Sequence, residues 1–174
     1  MSKLHYIAPT VPQRASLTVR LGTTGAGKMA SVDEGKFVKL IAESAYDMCA
    51  AGDSIEGIVS SVDTATSGGF SIGGIYDAGR MFVTLDGLQA TPGTGAIAIG
   101  DYVVTGTVVA KGTALPVYPK VCKATDQPTA VPAALANVQG QIKNAMFGWR
   151  VVSLGTVGTG AVGTTAVIMR VSIA

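Results

Sequence analysis

Residues 164–173, Thr-Thr-Ala-Val-Ile-Met-Arg-Val-Ser-Ile, decide the fold class. Val167, Met169 and Val171 fall on one face of an extended chain and Ile168, Arg170 and Ser172 on the other, which is the alternation of a half-buried β-strand. Nine further windows toward the N-terminus read as strands: 16–21, 37–41, 46–50, 55–62, 70–76, 80–85, 102–110, 120–124 and 148–154. Most are short, rich in β-branched residues and bounded by Gly, Asp-Gly, Pro-Gly or Gly-Asp. Helical composition is confined to 43–49 and 133–146. The second of these follows Pro132 and holds Asn137, Gly140 and Asn144, so one turn of helix within a long loop is expected there. The chain reads as all-β: a sandwich or barrel of short antiparallel strands with long Gly-rich loops and an extended N-terminal arm.

The arm is expected over residues 1–20, where Pro9 and Pro12 disfavour helix, with one β domain over 21–174. Charge is segregated along the chain. Residues 1–32 carry Lys3, Arg14, Arg20 and Lys28 without an acid, and residues 127–174 carry Lys143, Arg150 and Arg170 without one. All eleven acids lie between Asp33 and Asp126 beside six bases, leaving that middle at −5. Such ends either steer onto an acidic neighbour or fold back on their own middle. Tyr6, on an extended segment, has little to pack against internally. Lys3, Leu4, Tyr6, Arg14 and Arg20 are therefore the candidate partner-binding residues.

Catalysis finds little support. A reactive site needs a base, nucleophile or metal held by partners, and the chain has a single histidine, His5. Gly22-Thr23-Thr24-Gly25-Ala26-Gly27-Lys28 matches a phosphate-binding loop until Met29 stands where a magnesium-coordinating hydroxyl belongs. With Gly35 set to cut short any following helix, a hairpin tip is the better reading. Asp47, Asp53, Glu56 and Asp63 read as turn acids. Cys49 and Cys122 lack CxxC spacing or nearby histidine and read as buried free thiols, and no cofactor or metal is expected. Trp149 is expected in the core. Ala51-Gly52-Asp53 and Ile99-Gly100-Asp101 echo each other, a recurrence that turn chemistry generates by itself.

Apolar residues form 48% of the chain and charged residues 14%, against roughly 25% charged in an ordinary soluble domain. So neutral an exterior suits a protein mostly covered by neighbours, hence a homo-oligomer or part of a larger assembly. No Lys/Arg cluster interleaved with aromatics suggests nucleic acid. No apolar run or leader-like N-terminus suggests a membrane, and synthesis in the cytoplasm is expected.

Residues 99–107, 110–115, 147–154 and 163–168 together resemble the head decoration (cement) proteins of tailed bacteriophages. The resemblance covers most of residues 35–174 and rests on strand-and-turn patterns. It implies a β-rich, non-enzymatic virion protein on the outer face of an icosahedral shell, bound to the major capsid protein as a trimer, or as a dimer, that clamps adjacent capsomers. The alternative is a carbohydrate- or receptor-binding β-module of a head fibre or tail.

Overall fold

The computed structural model describes residues 6–7, 17–23, 27–66, 68–127, 138, 142, 148–155 and 158–170. The strands are β1 (Tyr6–Ile7), β2 (Leu17–Leu21), β3 (Phe37–Ala42), β4 (Ala45–Met48), β5 (Gly57–Asp63), β6 (Ser71–Tyr76), β7 (Arg80–Leu88), β8 (Thr91–Pro92), β9 (Tyr102–Thr105), β10 (Lys120–Lys123), β11 (Trp149–Ser153) and β12 (Thr165–Arg170). Each of the ten windows read from sequence overlaps one of them, and the fold is all-β. The window 43–49 is strand rather than helix: Ser44, at φ 52°, turns β3 back into β4. The window 133–146 lies almost wholly outside the described residues. Among the described residues, no helix is long and apolar enough to cross a membrane.

Strands β2, β4, β3, β5 and β6 pair in that order and close into a barrel. Strands β7, β10, β9, β11 and β12 pair in that order, and β12 returns to β7. The two circuits have one topology. In each, the first and third strands in chain order run parallel, β2 with β4 and β7 with β10, and every other pair runs antiparallel. These parallel pairs depart from the purely antiparallel reading, because each partner is reached over an intervening strand rather than a tight hairpin.

The correspondence holds pair by pair. Arg20↔Ala45 matches Thr84↔Lys120, and Leu17↔Ile75 matches Met81↔Ile168. Val38↔Gly57 matches Val103↔Trp149, and Lys39↔Asp47 matches Val104↔Cys122. A register shift falls between Val59 and Ser61 in one circuit and between Val151 and Ser153 in the other. Just before the second strand of each circuit, a glycine in the left-handed region, Gly35 or Gly100, donates its N–H to the carbonyl of Val59 or Val151. A side chain at either φ is strained, which accounts for glycine at both. Five buried positions carry the same residue in both halves: Val19 and Val83, Leu21 and Leu85, Val38 and Val103, Val59 and Val151, Ile75 and Ile168. The chain is therefore two copies of one five-strand unit, Leu17–Tyr76 and Arg80–Arg170.

The Gly-Asp echo is not this repeat. Gly52-Asp53 precedes the fourth strand of the first unit, whereas Gly100-Asp101 precedes the second strand of the second. Both are turns closed by aspartate, since Asp53 Oδ2 accepts from Ala50 N at 2.7 Å and Asp101 Oδ2 from Ala98 N at 2.8 Å.

The units share a core. Phe37, Cys49, Ile55 and Ile58 of the first join Met81, Val83, Leu85, Val103, Trp149 and Ile168 of the second in one apolar cluster. On β12 Ala166 and Ile168 are fully buried and Val167 of the other face is buried as well, while Met169 is half-buried. Arg170 shares the face of Ile168 because its guanidinium ends on backbone carbonyls, at 3.0 Å from Glu56 O and 2.7 Å from Asp77 O. Residues 17–20 lie in β2 and belong to the barrel rather than to the arm.

Candidate functional site

Of the residues singled out for partner binding, Lys3, Leu4 and Arg14 lie outside the described residues. Tyr6 is in β1, whose backbone pairs with the edge of β7 in the same chain, Tyr6 opposite Met81. Arg20 is exposed on β2 opposite Ile72 and Ala45. The structure does not bring Tyr6 and Arg20 into one site: they sit on strands of different sheets.

Five bases of the acidic middle are satisfied within it. Lys36 pairs with Asp33 at 2.7 Å, Lys39 with Asp53 at 2.6 Å, Lys111 with Asp47 at 2.6 Å, Lys120 with Asp86 at 3.2 Å and Lys123 with Asp101 at 2.9 Å. Lys39 stays protonated to a higher pH than usual because of its hydrogen bond to Asp53, against a smaller opposing effect of burial. Burial alone pushes the Asp86 carboxyl up. Hydrogen bonds from the hydroxyl and N–H of Thr107 and from Lys120 outweigh it and hold the group below the usual carboxylate range. These carboxylates therefore act as fixed acceptors, and the four suspected turn acids each accept a backbone N–H: Asp47 from Met48, Asp53 from Ala50, Glu56 from Leu40 and Asp63 from Ala65.

A further carboxylate, one that sequence reasoning passed over, is more deeply buried than these. Asp33, on a single 3-10 turn at Ser31–Asp33, is wholly buried. Its Oδ1 accepts from Lys36 Nζ and from Gly112 N, each at 2.7 Å, and its Oδ2 from Ala30 N at 2.9 Å. Lys36 Nζ also donates to Ala110 O at 2.7 Å. This pair clamps the 106–119 loop of the second unit onto the first. Lys111 adds a second fastening, through Gly27 O at 2.6 Å and the Asp47 carboxylate. The only sequence signal was an acid and a base three apart in Asp33-Glu34-Gly35-Lys36, a spacing common on solvated surfaces.

The phosphate-loop-like stretch is a hairpin extension of β2. Gly22 bridges Lys28, and Thr23 N donates to Gly27 O at 3.0 Å. It takes the place in the first unit that the β7–β8 hairpin takes in the second. The segment after Lys28 leads into the 3-10 turn, so it presents no ordered helix N-terminus to a phosphate.

Cys49 and Cys122 are buried free thiols. Burial pushes Cys49 up to about 12, with the neighbouring Thr105 hydroxyl opposing it, and pushes Cys122 up to about 11. Neither is thiolate near neutral pH, and the thiolate is the reactive form. At about pH 8 the folded chain should leave an aromatic disulfide reagent unreacted, and unfolding in denaturant should release both thiols. Prompt reaction of either in the native state would contradict this burial. Among the described residues, no three His, Cys, Asp or Glu side chains gather into a metal-holding group.

Beside exposed charged residues such as Arg20, Lys28, Glu43, Arg80 and Arg150, the body presents several large apolar side chains outward. Leu40 and Ile41 are exposed together at the end of β3, Val108 and Val117 on the 106–119 loop, and Ile99 and Val162 on the 93–101 and 154–164 loops. Those last two loops meet where Ile97 N donates to Gly160 O at 2.9 Å. No family model, curated protein or solved structure matches the chain.

Proposed function

We propose that the chain is a structural virion protein that binds the outer surface of an icosahedral phage capsid and stabilises it by clamping adjacent major capsid protein subunits. It would act as a homo-oligomer, a trimer ahead of a dimer. The observation that carries this reading is the combination of a body with five lysines paired internally and an exterior displaying Leu40, Ile41, Ile99, Val108 and Val117. Side chains arranged in this way suit contact rather than turnover. Exposed apolar groups gain by being covered, and weak contacts repeated over a lattice add through multivalency. The two-unit body supports the same reading, because one chain offers two related surfaces to a shell that is itself a repeat. A carbohydrate platform would draw on the single tryptophan, which is buried.

The arm provides the test. Removing residues 1–16 takes the two-residue β1 from β7 but spares every strand of both five-strand circuits, so the body should remain folded, as judged by the fluorescence of Trp149. We expect the truncated chain to occupy shells less fully and to protect particles less against heat. Full occupancy with undiminished heat resistance would remove the arm from this role.

A further inference from the structure

The two copies of the five-strand unit use one face differently. In the first unit Tyr76 of β6 lies opposite Ile58 of β5, Ile58 lies opposite Phe37 of β3, and Cys49 N donates to Phe37 O at 3.0 Å. In the second, Met169 of β12 lies opposite Arg150 of β11, Arg150 lies opposite Tyr102 of β9, and Ala124 N donates to Tyr102 O at 2.9 Å. Directly opposed residues share a face of the sheet, so these are equivalent rows across the two units. The first row gives Phe37, Ile58 and Cys49 to the apolar cluster that joins the units. Where it has the fully buried Ile58, the second row has the exposed Arg150, and it runs on to the exposed Arg80, opposite Met169. The face by which the first unit holds the second is thus repeated on the second, with no third unit to cover it.

The row specifies what would cover it. A repeat end that faces only water needs no more than a polar surface, whereas Arg, Tyr and Met are residue types that interfaces favour. Arg150 stands between half-buried Met169 and half-buried Tyr102, so the row asks for apolar side chains around one carboxylate. The chain itself holds such a segment. The turn from β3 into β4 is Leu40-Ile41-Ala42-Glu43-Ser44, and all five residues are exposed. Arg20 adjoins this tip, with its N–H on Ser44 O at 2.9 Å, but its side chain forms no ion pair with Glu43. Among the described residues, Glu43, Arg80 and Arg150 enter no ion pair at all.

We propose that the 40–44 tip of one copy docks on the Arg80–Met169–Arg150–Tyr102 row of a second copy, Glu43 against Arg150 and Leu40 and Ile41 against Met169 and Tyr102. Tip and row are different surfaces on different units, so the contact is head-to-tail and closes as a ring, three copies being the count proposed above. The inference rests on the homo-oligomer of that reading and not on its attachment to shells.

Sedimentation velocity of the isolated chain over a range of concentrations provides the test, with melting followed by circular dichroism as the check on folding. Wild type should assemble reversibly. Glu43→Arg and Arg150→Glu should each melt like wild type and weaken assembly by about tenfold, since each sets like charges face to face. A chain carrying both changes has the charges exchanged across every contact of the ring, and should assemble more tightly than either single variant. Should a reversal lower the melting temperature, Glu43→Gln and Arg150→Gln make the same test by removing charge: each should weaken assembly by about threefold, with little further loss on combining them. A chain that is monomeric at every concentration, an assembly that neither reversal weakens, or a double variant no tighter than the single ones overturns the proposal. If the assembly follows the charge exchange and the chain ignores shells, the capsid reading fails alone; if a monomeric chain coats shells, this contact fails alone.

Discussion

Asp33→Ala is expected to destabilise the fold by about 3–5 kcal/mol, the range for removing one partner of a buried ion pair. The change leaves the Lys36 ammonium, 3% exposed, with Ala110 O as its remaining acceptor. It also takes an acceptor from the N–H groups of Ala30 and Gly112. Much of the loss should come from the stranded charge. Adding Lys36→Met to the same variant should then recover about 1 kcal/mol or more. Urea denaturation followed through Trp149 fluorescence measures both. A single-variant cost under about 1 kcal/mol would mean that the pair behaves like an exposed one and does not clamp the loop.

Trp149→Ala should cost a comparable amount, about 3–5 kcal/mol. Trp149 is fully buried in the cluster that joins the two units. Its counterpart in the first unit is Gly57, where an added Cβ would lie only 3.2 Å from Ile75 Cδ1. The second unit thus fills with one indole a space that the first unit closes by bringing side chains together. Because Trp149 Nε1 has no hydrogen-bond partner, Trp149→Phe loses volume but no hydrogen bond and should cost clearly less than the alanine variant. Thermal denaturation monitored by circular dichroism decides it. Equal losses for the two variants would contradict the packing account.

The strands were legible because their signal is local: β-branched runs closed by Gly and Asp turns mark β2 to β7 and β9 to β12 in the sequence. The window 102–110 overran, since nothing local says that Gly106 must turn beside Asp86, where an added Cβ would meet the carboxylate at 3.0 Å. The repeat was not legible. Its matched residues, such as Val19 with Val83 and Ile75 with Ile168, are single apolar positions, and their spacing drifts because the second unit carries longer connections after β9 and β10. Parallel pairing of β7 with β10 is likewise a tertiary outcome. The lone-tryptophan and free-thiol readings held because bulk and missing ligand spacing are properties of the residues themselves. The Asp33–Lys36 clamp escaped because it depends on a loop from the second unit arriving at the first.

Function by contact is the central claim, and the most direct measurement is to mix the purified chain with undecorated, expanded phage shells, sediment them and image the pellet. The account predicts saturable co-sedimentation and ordered density on the outer face, at a fixed number of copies per capsomer. A chain that stays in the supernatant at every concentration, with shells that look the same in its presence and absence, would contradict it.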